Sequence, residues 1–459
     1  MNSHPKIILP NQKPQPQPLL ANRVAGRTKW QGSTIADFTV IKKGIWIYFF
    51  LLIFEGALRK WVLPSLANPL LIIRDPVALW LLVNAYRKKI LILNGYLLAF
   101  VVITLLGILL AMTVGHGNFI VAIYGARLYL LHFPLIFVIG RVFDTEDVLK
   151  MGRVLIYLSI PMTFLIALQF YSPQSAWINK GIGDSEGGGF DGANGFFRPP
   201  ATFSFITGTV GFYGIVASYL LFFWLNPKFI SKPALIAASI CLLAAVPLTI
   251  SRSVFFEVLL SGIFAVAIMS RKPKFFVKIF PIAIFSIIAV FFLSKLDIFQ
   301  TSTEAFTTRF DSANENEGGL QGVLLDRFFG GMFSALGGSS QIPFFGYGIG
   351  MGTNVGAQLL SGKVTFLIAE VEWGRIIGEM GAILGISAIF VRISICFKML
   401  RKSYKKMVNG DSLPWMLLSF ALILIAQGQW AQPTILGFST LGAGLTAASL
   451  KNDPAVPVI

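Results

Sequence analysis

Apolar runs recur along almost the whole chain, separated by short polar connections. They fall near residues 44–63, 69–86, 91–114, 119–140, 153–171, 203–225, 233–250, 254–270, 276–294, 374–397, 413–430 and 433–450. A helix needs roughly 20 apolar residues to cross a bilayer. The pattern therefore predicts an all-α, polytopic integral membrane protein with about twelve spans, and no internal repeat is visible. Trp46, Trp61, Trp224, Trp373, Trp415 and Trp430 fall at the predicted span ends, where an interfacial belt places tryptophan.

Composition sharpens this picture. Hydrophobic residues make up 55% of the chain and charged residues only 13%, against about 25% charged in a soluble domain. The net charge of +17 would suggest nucleic acid in a soluble protein. Its distribution points elsewhere. If the N-terminus is cytoplasmic, 25 of the 38 Lys and Arg fall in cytoplasmic segments, with six of the 21 acids. The excess is then a topology signal, with both termini inside and no nucleic-acid partner.

The same reading divides the chain into a cytoplasmic tail at 1–43, spans at 44–171, a glycine-rich outward loop at 172–202 and spans at 203–294. A large outward loop at 295–373, spans at 374–450 and a tail at 451–459 complete it. The first tail is polar and proline-rich, and is expected to be disordered. Its lack of an apolar core makes the first run an uncleaved anchor. Within the large loop, Leu320 to Leu336 is expected to lie as an interfacial helix. Cys241 and Cys396 stand far apart in apolar runs, so neither a zinc site nor a disulfide framework is expected. No phosphate-binding GxxxxGK[ST] motif occurs. The carboxylate pairs Asp184/Glu186, Glu315/Glu317 and Glu370/Glu372 are only a weak signal for Mg²⁺. No metal or cofactor is assigned.

Ionisable residues within spans are functional candidates by default. They concentrate in the predicted outer half: Glu55 and Arg59, Arg74 and Asp75, Arg127, Arg252 and Glu257, and Glu372, Arg375 and Glu379. The simplest reading is a polar cavity open to the cell exterior. Structural ion pairs are the competing reading for Glu55–Arg59, Arg74–Asp75 and Glu372–Arg375–Glu379. Arg127 has no acidic neighbour on its own helix, so its partner is on another element or is an anionic ligand. His132, beside Phe133 and Pro134 near mid-span, reads better as a satisfied core histidine than as a base.

Four segments, in order, resemble the O-antigen polymerase/ligase family of bacterial membrane proteins. They are Arg198-Pro-Pro-Ala-Thr-Phe203, Ser251-Arg252-Ser253, Pro343-Phe-Phe-Gly-Tyr-Gly-Ile-Gly350, and Ala369-Glu370 through Glu379-Met-Gly381 to Leu384-Gly385. Members that act as ligases carry a histidine–asparagine pair near the position of Glu370. Here no histidine follows His132, which favours a polymerase or a divergent branch. Arg327, separated from Gly338 by ten residues, is similar to a spacing found in polymerases.

The resemblance implies a glycosyltransferase of the bacterial plasma membrane. It would polymerise or ligate glycans from an undecaprenyl-pyrophosphate donor at the outer face, with a chain-length regulator as candidate protein partner. Arg252 and Arg198, with Arg127, Arg309, Arg327 and Arg375, are the candidates to neutralise the leaving pyrophosphate. Glu370, Glu372 and Glu379 are the candidate bases for the attacking hydroxyl. A transporter or flippase for lipid-linked oligosaccharide is the alternative expectation.

Overall fold

The computed structural model describes residues 38–184, 190–271, 295–317, 342–363 and 366–451, with 284, 288, 291, 292 and 337. Residues 1–37, most of the run at 276–294, Leu320–Leu336 with Arg327, and residues 452–459 lie outside the described residues. So do the side chains of Asp184/Glu186 and Glu315/Glu317.

Fifteen helices are named here in chain order. They are α1 (Thr39–Ala57), α2 (Ala67–Leu70), α3 (Arg74–Arg87), α4 (Gly95–Thr113), α5 (Phe119–Arg127), α6 (Leu135–Val142), α7 (Thr145–Tyr171) and α8 (Ile206–Leu225). They continue with α9 (Lys232–Leu248), α10 (Arg252–Arg271), α11 (Asp297–Glu317), α12 (Asn354–Ser361), α13 (Glu372–Val408), α14 (Leu413–Gln427) and α15 (Pro433–Ser449). A two-stranded antiparallel hairpin, β1 (Phe190–Ala193) and β2 (Phe196–Arg198), interrupts the glycine-rich loop. Among the described residues, seven helical segments are long and apolar enough to cross a membrane: Pro64–Arg87, Gly95–Thr113, Phe119–Val142, Thr145–Tyr171, Ile206–Leu225, Arg252–Arg271 and Glu372–Val408. Lys232–Leu248 and Leu413–Gln427 are apolar but shorter. Helix α1 begins five residues before the apolar run at 44 and so includes Lys42 and Lys43.

Local chemistry sets where several helices start. The Asn94 carboxamide accepts from the Tyr96 and Leu97 amides to cap α4, and Asn118 does the same for α5. Asp144 and Asp147 form a reciprocal capping box on α7.

Polar contacts sort the helix ends into two groups. At one end Lys42 bridges Asp144 and Asp147 at 2.7 and 2.5 Å. Partial burial works against ionisation of Asp144, but its bond to Lys42, the Lys42 charge and its bonds with Asp147 together outweigh that and hold the carboxyl below its ordinary range. At the same end Arg141 donates to the Ile90 carbonyl, Lys451 to those of Arg141 and Phe143, and Lys406 to that of Lys451. This basic end gathers segments that the charge pattern assigns to one side. Glu55, Arg59, Arg74, Ser204, Glu370 and the Gly428–Pro433 connection meet at the opposite end.

Helix α13 departs from expectation. Glu372, Arg375 and Glu379 do not simply open a span that continues to residue 397. Glu372 lies 2.6 Å from Arg392, twenty positions along the chain, where an unbroken helix would separate them by about 30 Å. The chain doubles back at Gly381, whose φ of 74° and ψ of −178° suit glycine alone. A Cβ at Gly381 would lie 2.2 Å from the Phe344 carbonyl oxygen. Residues 372–380 thus form a short helix folded against the descending 382–408 segment. The loop Pro343–Thr353 caps the break: the amides of Tyr347 and Gly348 donate to the carbonyls of Gly378 and Glu379, and that of Ala382 to Phe344.

Three tryptophans assigned to an interfacial belt are interior instead. Trp373, Trp415 and Trp430 are buried, and the Trp430 N–H is bound by the Leu424 carbonyl and the Ser439 hydroxyl. Each has a hydrogen-bond partner within the bundle, which allows its indole to be buried.

Gly381→Ala is expected to cost about 2 kcal/mol or more, from backbone strain together with the collision at Phe344. Gly117→Ala, at φ 68° with open space around it, should cost about 1 kcal/mol. Thermal unfolding midpoints in detergent would show the ranking; equal losses would mean that the reversal is not held as described.

Candidate functional site

Two π-helical turns shape the polar end. Leu58–Val62 follows α1, and Leu128–His132 joins α5 to α6. Each closes with an i→i−5 bond, Leu63 to Leu58 at 2.7 Å and Phe133 to Leu128 at 3.2 Å. Each is followed by a proline, Pro64 or Pro134, which has no N–H to continue the ladder. Such bulges widen one turn and re-aim its side chains.

The re-aimed groups join a continuous buried network. Arg74 Nε donates to Glu55 at 3.2 Å, and Arg59 stands 3.6 Å from the other Glu55 oxygen. The Tyr48 hydroxyl is 3.0 Å from His132 Nδ1 and 3.5 Å from Arg74. His132 Nε2 is 3.0 Å from Asp75, whose second oxygen accepts from Arg127 at 2.5 Å. Arg127 also donates to Tyr124 and stacks over its ring.

Backbone acceptors complete the set. Arg59 donates to the Ala67 carbonyl and the Ser204 hydroxyl, Arg74 to the Pro433 carbonyl, and Lys60 to the Ala201 carbonyl. Four cations face two carboxylates here. Lys60 is 1% exposed and has no carboxylate partner among the described residues. Arg127 Nε is buried without a hydrogen-bond partner, an unused donor that calls for an explanation.

The second cluster is balanced. Glu372 receives two bonds from Arg375, both 2.9 Å, and one of 2.6 Å from Arg392. Glu379 takes Arg375 at 2.6 Å and the Gly352 amide at 2.9 Å. Arg392 donates to the Ile425 and Gly428 carbonyls, and its guanidinium stacks 3.9 Å from the Trp430 ring centre. Tyr129, on the second π turn, touches Arg375 at 3.5 Å and stacks on Phe100. That single turn therefore reaches both clusters. A cavity of about 10 Å³, room for about one water, lies among Glu370, Glu372, Arg375, Gln429 and Gln432.

Of the candidate bases, Glu372 and Glu379 have both oxygens engaged, which suits positioning rather than proton acceptance. Glu370 is exposed at the rim, its backbone held by Gln429. Arg375 belongs to the balanced cluster and Arg127 to the cation-rich one.

Arg198, Arg252 and Arg309 sit on a third set of elements that pack together: the hairpin, the start of α10, and α11. Asn194 donates to Thr308 at 3.4 Å, Phe255 meets Phe310 edge to face and Phe256 packs against it at a tilt, and a Cβ on Gly192 would lie 2.8 Å from Ile250. Arg198 donates to the Asp191 carbonyl, and Arg252 is buried at the first position of α10. Residues 200–204 link this set to the cation-rich network, since the Thr202 hydroxyl donates to the Ile53 carbonyl at 2.7 Å. Arg327 lies outside the described residues.

Sequence reasoning missed Tyr48, Tyr124, Lys60 and Arg392. Lys60 and Arg392 were detectable as cations set within apolar runs. The recurring leucine six places before proline, at Leu58/Pro64 and Leu128/Pro134, was the visible trace of the π turns.

No family model matches the chain, and no curated protein matches it either.

Removing one partner of a buried, hydrogen-bonded ion pair costs roughly 3–5 kcal/mol. Glu372→Gln should show a loss of about that size, because Arg392 then keeps its charge without a carboxylate. Glu370→Gln should cost less than about 0.5 kcal/mol, as a surface change does. Denaturation in detergent measures both, and a neutral Glu372→Gln would argue against the paired arrangement.

Proposed function

We propose that the chain is a membrane glycosyltransferase. It extends or transfers a glycan carried on undecaprenyl pyrophosphate, at the outer face of a bacterial plasma membrane. The chain crosses the membrane twelve times in this reading, with both termini and the basic end in the cytoplasm. The polar end then faces outward, where the lipid-linked donor is presented.

The observation that carries the reading is the division of labour at that end. Glu370 is an exposed carboxylate, its backbone carbonyl held by Gln429, beside a fully paired Arg–Glu cluster, while a cation-rich network and three further arginines lie on neighbouring elements. Glycosyl transfer from a lipid pyrophosphate needs both parts. The acceptor hydroxyl attacks the anomeric carbon and gives its proton to Glu370. The bond from that carbon to the pyrophosphate oxygen breaks, and the electron pair leaves with the lipid pyrophosphate. Arginines stabilise the charge that develops there, because their guanidinium fork matches phosphate oxygens. Arg252, Arg198 and Arg309 form the pyrophosphate cradle, with Arg127 offering its unused Nε–H. Glu372, Glu379 and Arg375 hold the 372–380 helix in place.

The decisive assay uses purified protein in liposomes with a lipid-pyrophosphate oligosaccharide. Lengthened glycan is expected from the native chain. Glu370→Gln should lower the rate by about 10²–10⁴-fold, and Arg252→Ala should lower it while the protein still reaches the membrane at normal level. Movement of the oligosaccharide across the bilayer without lengthening would make the protein a carrier and sink the enzyme reading.

A further inference from the structure

Away from the polar end, α4 and α13 diverge around an apolar groove of about 600 Å³, within the size range of ligand sites. Small side chains open it: Gly95 and Ala99 on α4 face Ser387 on α13. Leu98, Val102 and Phe390 form its walls and are 49%, 47% and 71% exposed. Both helices are among those apolar enough to cross a membrane, so lipid is the medium that reaches this groove.

What singles out one class of lipid is the charge aligned with it. Lys398 continues the i+4 ridge of Ile386 and Phe390, two turns or about 12 Å beyond Phe390. Its ammonium stands 5.1 Å from the ring centre of Tyr96, the neighbour of Gly95 at the mouth of the groove. Arg401, Lys402 and Lys405 follow at i+3, i+4 and i+7 from Lys398, on the same helix face and exposed. None of these four cations has a carboxylate partner among the described residues. An apolar slot thus runs into a cationic stripe, in register, at the basic end of the bundle.

We propose that this groove is a specific site for an anionic glycerophospholipid, with an acyl chain between α4 and α13 and its phosphate at Lys398. Acyl burial supplies non-directional affinity, and the aligned cations supply preference for an anionic headgroup. The site is separate from the polar end, so its occupancy is read without reference to any glycan chemistry.

Native mass spectrometry of the purified full chain, offered equal amounts of phosphatidylglycerol and phosphatidylcholine, tests the proposal. The native chain should retain phosphatidylglycerol preferentially. Lys398→Gln should cut that preference about fivefold, the effect of one cation near a headgroup. Lys228→Gln, which removes an exposed cation from the α8–α9 connection at the same end, should leave it unchanged. Ala99→Phe, which fills the groove, should lower retention of both lipids. Equal losses from Lys398→Gln and Lys228→Gln would reduce the effect to general basicity and overturn the site. Full retention by Ala99→Phe would overturn it too, as would a dimer that Ala99→Phe dissociates, since the groove would then hold a second copy.

Discussion

A charge taken out of water among apolar helices must find a partner, because the uncompensated penalty is several kcal/mol per ion. In this protein the partners come from elsewhere in the chain. Arg74 reaches back to Glu55, Arg127 to Asp75, and Arg392 to Glu372. Helix packing in a bilayer gains little from the hydrophobic effect, since lipid is as apolar as leucine. Directional ties therefore carry an unusual share of the specificity. They fix α1 against α3, α3 against the α5–α6 segment, and the folded-back 372–380 helix against the rest of α13. The π turns and the reversal at Gly381 are what bring these partners into range.

The backbone has its own accounting. A helix broken within an apolar bundle leaves carbonyls and amides that water cannot satisfy, so irregular chain is tolerated only where protein surrounds it. The loop Pro343–Thr353 meets that demand. Its amides take the carbonyls at the end of the 372–380 helix, and its Gly352 amide donates to the Glu379 carboxylate. This close approach needs glycine: Gly346 has φ 75°, and a Cβ there would lie 2.4 Å from the Gly381 nitrogen. Gly352 likewise leaves room for the Arg375 side chain, which would lie 2.5 Å from an added Cβ. Two of the segments singled out in the sequence, 343–350 and 369–385, are thus two halves of one interlock.

Helices were legible wherever apolar runs were long and bounded by polar caps. Asn94, Asn118 and Asp144 mark starts that the structure uses. Pairing was much less legible, because spacing reports only neighbours on one helix. Glu55 and Arg59 stand at i,i+4, yet their 3.6 Å contact is longer than the 3.2 Å bond from Arg74. The adjacent Arg74 and Asp75 point to different partners altogether. Spacing found the ladder around Arg375 but not its anchor, since Arg392 lies beyond a reversal that a hydropathy pattern reads as continuous helix. Trp430 misled for a related reason: its place near a run end suggested an interface, whereas its ring is the surface on which Arg392 stacks.

The two buried clusters differ in a way that bears on chemistry. Around Glu372, two arginines meet two glutamates and each carboxylate oxygen is occupied, so the cluster is complete in itself. Around Asp75, Arg59, Lys60, Arg74 and Arg127 outnumber Glu55 and Asp75, and carbonyl dipoles make up part of the difference. Dipoles orient a cation but do not neutralise it. An anion arriving beside this network would gain from charge already held in fixed positions, without the reorganisation that water or a mobile side chain would require. For the reaction we propose, a balanced cluster next to an unbalanced one would set a direction: a negative group would gain on the Arg127 side, while Glu370, exposed at the rim of the neutral side, would meet an uncharged hydroxyl.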